Sequence, residues 1–279
     1  MKCYLCRMKK FWILILCAVI TNCVQAQTDV ALDPEFGARM SVGLDKKITK
    51  GFHIALNEEV RFDNNFRSFD RLQTTLGLDY KVNPYLRFGL GYIFIAPYSS
   101  NNSAFKNLRH RLYFDVRGSY QTGRWEFALK ERFQWTYRAG DFNEYQYPRN
   151  ELMLKSRITV KYNTNIASPY LYFELRNFLN APVIHANFDG THYLTDEGTE
   201  KGEPGWFLEG FRGVYINRYR TCLGVDIKVN KHNKLNFYFL GDFVDDKVVD
   251  ANAKGTKLKS YTRERGFVGS IGAEYVYAF

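Results

Sequence analysis

The chain has 279 residues, 24% of them charged and 46% hydrophobic, with a formal charge of +10. This is neither a disordered nor a collagen-like composition. A mean hydropathy of −0.37 excludes a bundle of transmembrane helices, each of which needs about 20 mostly apolar residues.

Residues 1–26 read as a secretory signal peptide. Lys2, Arg7, Lys9 and Lys10 form a basic start, and Phe11–Ile20 is an apolar stretch too short to span a bilayer. Val24-Gln25-Ala26 offers a small-residue cleavage site before Gln27. A lipoprotein reading would place a lipid on Cys23, but Asn22 before it is a poor fit. Cleavage removes four of the 39 basic residues and none of the 29 acidic ones, so the charge of residues 27–279 falls to +6. Four of five cysteines leave as well, including the Cys3-Tyr4-Leu5-Cys6 pair; Cys222 remains, and no internal disulfide is expected.

From there on the pattern has period two. Strands are expected near 36–46, 51–62, 70–81, 85–96, 108–121, 124–138, 151–162, 170–179, 218–229, 233–243 and 267–279. In the fifth of these, Leu112, Phe114, Val116 and Tyr120 alternate with Arg109, Arg111, Asp115 and Arg117. In 218–229, Tyr219, Leu223, Val225 and Ile227 alternate with Arg218, Arg220, Asp226 and Lys228. Alternation repeated over segments of about ten residues is the signature of a transmembrane β-barrel. All seven prolines fall outside these strand interiors, as a closed ladder requires. Short connections near 82–84, 121–123, 163–168 and 230–233 alternate with longer ones near 97–107, 139–149, 180–205 and 244–265. Barrels of bacterial outer membranes alternate in this way.

Trp125 and Trp135 share a face ten residues apart. On a strand tilted near 45° that spans roughly 23 Å, close to the ~25 Å apolar band between two aromatic girdles. With Tyr137, Tyr275, Tyr277 and Phe279 they form the expected girdle. A soluble β-sandwich or lipocalin-like barrel would show the same periodicity turned inside out. Strand number, aromatic content and Phe279 favour the membrane. Eleven segments are read, but single-chain bacterial barrels have even counts. The expectation is therefore an all-β, antiparallel up-and-down transmembrane barrel of about 12 strands over 27–279. Residues 28–34 or 206–217 would supply the twelfth strand, and ten strands is the fallback.

The run Leu76-Gly77-Leu78-Asp79-Tyr80-Lys81-Val82-Asn83-Pro84-Tyr85-Leu86-Arg87-Phe88-Gly89-Leu90-Gly91-Tyr92, preceded by Asp70-Arg71-Leu72 and followed by Leu108-Arg109-His110-Arg111, resembles the domain-of-unknown-function family 2490. Glu174-Leu175-Arg176-Asn177 and Arg218-Tyr219-Arg220 are similar to it too, so the resemblance extends over about 35–279. It implies an exported barrel protein, of a kind found in many Bacteroidota, and supplies no catalytic residue.

With the apolar face toward lipid, the other face lines the interior. Its charge ladder comprises Glu59, Arg61, Asp79, Arg87, Arg109, Arg111, Asp115, Arg117, Glu126, Lys130, Arg132, Glu151, Lys155, Arg157, Glu174, Arg176, Arg218, Arg220, Asp226, Lys228 and Glu274. Two readings compete: a lumen filled by Arg–Glu pairs that hold register, and a narrow pore whose cations favour small anionic solutes. Glu131 has the parity of the lipid face, so a β-bulge near 130 is expected to turn it inward.

An enzyme of the lipid edge would need a base beside a nucleophile. His110, with Ser99, Ser100 and Ser103 in the preceding loop, is the candidate pair. His185, Asp189, His192, Asp196, Glu197, Glu200 and Glu203 offer oxygen and nitrogen ligands in the 180–205 connection but match no metal spacing. No catalytic residue, metal or cofactor is assigned. Nucleic acid is excluded as a partner by the export address. The expected partners are outer-membrane lipid and, through the C-terminal aromatic strand, the barrel-assembly machinery.

Overall fold

The computed structural model describes residues 28–187, 205–253 and 258–279. The leader expected over 1–26 lies outside them. The described chain is nearly all strand: β1 (Thr28–Ala31), β2 (Glu35–Thr49), β3 (Phe52–Asp63), β4 (Ser68–Lys81), β5 (Leu86–Ser99), β6 (Ala104–Phe105), β7 (Arg109–Thr122), β8 (Trp125–Arg138), β9 (Asn150–Tyr162), β10 (Ala167–Asn187), β11 (Gly205–Lys228), β12 (Asn233–Ala251) and β13 (Leu258–Ala278).

Eleven of these are staves of a closed barrel. β2 to β5 and β7 to β13 pair with their neighbours antiparallel, and β13 returns to β2. That last pairing is parallel, from Val268 beside Glu35 to Ala278 beside Asp45. The reason is arithmetic. In a meander of hairpins each stave reverses the last, so the first and eleventh point the same way.

The expected twelve staves are thus corrected to eleven, the number of segments that the alternation itself shows. Neither proposed source adds a stave. Residues 28–31 form the short β1, which runs along β13 in line with β2, with Thr28 beside Thr262. Pro34, which lacks an amide donor, separates the two pieces. Residues 206–217 belong to the same strand as 218–228. β6 is a two-residue hairpin arm against the end of β5.

Short turns at 50–51, 82–85, 123–124, 163–166 and 229–232 gather at one end of the barrel. In two of them an asparagine side chain accepts backbone amides: Asn83 from Tyr85 and Leu86, and Asn230 from His232 and Asn233. The other end carries longer connections, together with the tight turn 64–67.

Stave length divides the barrel. β2–β9 staves have 12 to 15 residues, whereas β10–β13 have 19 to 24. Of the connections expected over 180–205 and 244–265, residues 180–187, 244–251 and 258–265 are instead strand that projects past the rest of the wall, while 188–204 and 254–257 lie outside the described residues. This also corrects the proline reading. Pro97, Pro169 and Pro182 lie within β5 and β10, Pro182 at a register shift in the projecting hairpin.

Which face is inside follows from contacts between staves two apart. Only on a concave face do such side chains converge. The Asn57 amide donates to Glu274 at 3.0 Å across β2, Tyr170 and Asn236 hydrogen-bond across β11, and Lys161 pairs with Asp226 across β10. All lie on the charged face. The apolar face is convex and uncovered: Met40, Leu90, Leu129, Ile158, Leu223 and Ile271 are each more than half exposed.

Candidate functional site

Register partners share a face, so the pairings can be followed round the interior. Every residue of the sequence-derived ladder lies on this concave face. One transverse row reads Lys81, Arg87, Arg117, Lys130, Arg157, Glu174, Arg220, Asp242, each directly beside the next from β4 to β12. The adjacent row reads Asp79, Gly89, Asp115, Arg132, Lys155, Arg176, Arg218. The first therefore holds five consecutive cations, and the second four.

Like charges directly opposite one another destabilise a sheet. Many are relieved by carboxylates, some directly opposite and some diagonal to them. Arg132 grips Asp115 with two hydrogen bonds of 2.5 and 2.6 Å, and Lys130 reaches the same carboxylate at 2.9 Å. Arg117 pairs with Glu126 at 2.8 Å. Arg157 meets Glu174 at 2.6 Å, Arg138 meets Glu151 at 2.6 Å, and Arg61 meets Glu59 at 2.5 Å. Further round, Arg220 holds Asp242 with bonds of 2.7 and 2.8 Å and lies 3.5 Å from Glu174. Such forked, charge-assisted pairs fix both distance and angle.

Other cations are less well served. Arg111 donates to the Thr136 hydroxyl at 2.8 Å and Arg176 to the Asn217 carbonyl at 2.8 Å. Arg218 lies 3.8 Å from both Asp242 and Asp246, and its Nε, like that of Arg109, is buried without a hydrogen-bond partner among the described residues. Asp226 pairs with Lys161, and Lys228 sits near the short-turn end beside Lys234.

Tyrosines brace the same wall. Tyr238 lies flat over its register partner Gly272, and Tyr170 over Gly224; a Cβ on either glycine would fall within the ring. Glycine is needed here for close approach, not for turning. Arg132 stacks on Tyr113 and Arg157 on Tyr172, each 4.0 Å from the ring centre.

The aromatic girdle candidates all lie on the convex face. Trp125, Tyr275, Tyr277 and Phe279 stand at the short-turn end, with Trp125 against Tyr162 and Tyr277 against Phe279. Trp135 and Tyr137 stand toward the other end, and the Trp135 indole donates to Asn150 at 3.0 Å.

Several expectations need correction. No bulge occurs near 130: β8 keeps unbroken register with β7 and β9. Glu131 stays on the convex face, where the Ser156 hydroxyl donates to it at 2.7 Å. Bulged residues are instead Asp70, which receives Arg71, and Asn217, which links Arg176 to Asp246. Glu58 is a second convex-face carboxylate that the alternation displays but the reading passed over. Asp242 and Arg39 were missed as well. On β12 the inward neighbours of Asp242 are Leu240 and Val244, both buried, so polarity does not mark that face. Likewise Ile93, Ile95 and Tyr113 make an apolar patch inside the barrel.

The hydrogen-bond partner of His110 is the Tyr92 hydroxyl at 2.6 Å, among the rings of Phe94 and Tyr137. The acidic and histidine residues read from 185–203 lie outside the described residues, apart from the backbone of His185 and of its neighbours to Asn187. On the projecting strands, Arg263 holds Asp245 with two hydrogen bonds, which raise its pKa above the ordinary arginine value, and Arg265 reaches Asp29 of β1 at 3.1 Å.

Among curated proteins no match to the chain is found. The model of the family described as "Protein of unknown function (DUF2490)" matches residues 36–192. The run 76–92 and its flanking motifs fall within that span, as does 174–177, whereas Arg218-Tyr219-Arg220 falls beyond it. Over more than half its length the chain carries this family's pattern, and it belongs to the DUF2490 family.

Proposed function

We propose that this is an outer-membrane β-barrel whose role is structural or surface-presenting, its interior closed by interlocked arginine–carboxylate pairs. One observation carries the reading: a closed barrel with its charge ladder on the concave face and a convex face that is apolar apart from a few carboxylates such as Glu58 and Glu131. In water such a surface would be costly, since exposed apolar patches on soluble monomers seldom exceed a few hundred Å². In a bilayer it is the required exterior. The short staves fit as well: 12 to 15 residues at about 3.3 Å each and a tilt near 45° cover roughly 28 to 35 Å, enough for the band and its girdles.

In this reading the leader delivers the chain to the envelope, the short turns face the periplasm, and the projecting β10–β13 hairpins stand outside. The girdle residues mark the two interfaces, and β13 presents its aromatic end to the assembly machinery. The role is binding or presentation, without a catalytic centre. His110, held by Tyr92, serves as an interfacial aromatic.

A second reading, a narrow channel preferring anions, is favoured by the runs of like charge. Several inward side chains also keep about a quarter of their surface accessible, Arg157 and Arg218 among them, which leaves solvent-sized space along the wall.

Planar-bilayer recording of the refolded chain separates the readings, with insertion first confirmed by the gel shift between boiled and unboiled samples. The structural reading expects an inserted but silent barrel. Discrete steps with anion preference would replace it with the channel. Failure to insert at all would overturn both.

A further inference from the structure

The cation row does not begin inside a packed wall. It begins at the rim of the short-turn end, in a cavity of about 420 Å³ lined by Lys81, Arg87, Arg117, Ser119, Gln121 and Glu126, with the 83–85 turn as its lip. Lys81 stands directly beside Arg87, and Arg87 directly beside Arg117, so three cations converge on one cup. The cup has one carboxylate, Glu126, and that is already committed to Arg117 at 2.8 Å and to the Asn163 amide at 3.3 Å. Lys81 and Arg87 are exposed, and their side chains make no hydrogen bond or ion pair among the described residues. The remaining polar lining, a hydroxyl on Ser119 and an amide on Gln121, adds neutral hydrogen-bonding groups. A volume of this order suits a small organic ligand better than a single halide.

Further along the same row the cations do meet carboxylates: Lys130 shares Asp115 with Arg132, and Arg157 meets Glu174. At the cup the chain provides none for two of the three cations. Guanidinium and ammonium groups arranged around an open polar cup bind oxyanions, the arginine fork matching phosphate or carboxylate geometry. We propose that the cup at the short-turn end is a binding site for a small, soluble, multivalent oxyanion, a phosphorylated or polycarboxylated solute, with Lys81 and Arg87 as its principal contacts and Arg117 as the third. The lining lies at the mouth of the concave face, away from the apolar exterior, so the ligand comes from the aqueous phase rather than from a lipid headgroup. This goes beyond the structural reading and does not depend on membrane insertion.

The test is equilibrium dialysis of the folded full chain in a neutral detergent at low salt, with labelled tripolyphosphate and, separately, labelled citrate. Folding of every sample is checked by the gel shift. Saturable binding of at least one probe is expected, weakening as salt is raised. The double variant Lys81→Gln/Arg87→Gln should bind at least tenfold more weakly. The double variant Arg67→Gln/Lys106→Gln removes the same charge at the opposite end and should bind as the parent does. No saturable binding of either probe by the parent would overturn the proposal, as would equal loss in both double variants or no loss in the first. A barrel that binds but does not insert would refute the membrane reading while leaving the site intact.

Discussion

The same transverse row has two characters in two regions of the barrel. Across β10–β12 it alternates, Glu174, Arg220, Asp242, and each charge finds its opposite on the next stave. Asp242 is fully buried, and Glu174 nearly so. Across β4–β9 it is uniformly cationic: Arg117 and Lys130 draw counterions from other rows, and only Arg157, at the edge, meets a carboxylate of its own row, Glu174. The alternating wall is closed upon itself: its charges are consumed as bracing. The cationic wall keeps unspent positive charge, most of all at the cup, where Lys81 and Arg87 lie side by side. Identical alternation of apolar and charged residues along the strands thus supports two different electrostatic roles, and stave-to-stave register decides which.

Substitutions can break this contrast, and the largest effect should fall on the braced wall. Asp242→Asn would leave Arg220 buried without its forked partner, with only Glu174 at 3.5 Å remaining. Breaking a buried pair costs about 3–5 kcal/mol, and urea unfolding of the reconstituted barrel should show a loss of that order. Next comes the glycine beneath a ring. Gly272→Ala places a methyl within Tyr238, and overpacking of this kind costs about 1–3 kcal/mol. Adding Tyr238→Ala should recover part of that loss in a double-mutant cycle, because the two residues are direct partners. On the cationic wall, Arg117→Gln should change stability by less than about 1 kcal/mol, since Arg117 is more than a third exposed and its pair with Glu126 is screened. Equal losses at Asp242 and Arg117 would erase the distinction between the walls.

The convex face gives the smallest effect. Glu131→Gln removes a carboxylate from the midst of the apolar belt while keeping the hydrogen bond to Ser156. A lipid-facing charge is unfavourable near the midplane, less so for Glu than for Lys. The substitution should leave folding into lipid unchanged or slightly improved, measured as the urea midpoint in liposomes.

Much of this was legible from residue alternation. All eleven staves correspond to segments visible in the sequence, because each buries one side and exposes the other with period two. The ladder residues fall on the concave face for the same reason. What failed was an external rule. Even strand number is a habit of such barrels, not a physical requirement, and a parallel seam between β13 and β2 satisfies the backbone as completely.

The missed features are those that one-strand periodicity does not encode. The upper halves of β10 and β11 escaped because bulges such as that at Asn217 shift the parity. Asp242 escaped because Leu240 and Val244 share its face. The expected rotation of Glu131 rested on the cost of the charge alone, whereas unbroken pairing with β7 and β9 holds it in place. Which cations would be paired and which left free depends on register between staves, and no single strand carries that information.

The central claim is that the apolar face meets lipid and the charged face lines the interior. A cysteine scan of β8 tests it most directly, in a background where Cys222 is replaced by serine. Single cysteines at positions 126 to 135, in liposomes, would be probed with a water-soluble maleimide and with brominated lipid as a quencher of a thiol-linked fluorophore. The account expects strict alternation: odd positions resist the maleimide and are quenched by lipid, and even positions show no lipid quenching. Odd positions that react with the aqueous reagent as freely as loop positions, or quenching without alternation, would contradict it.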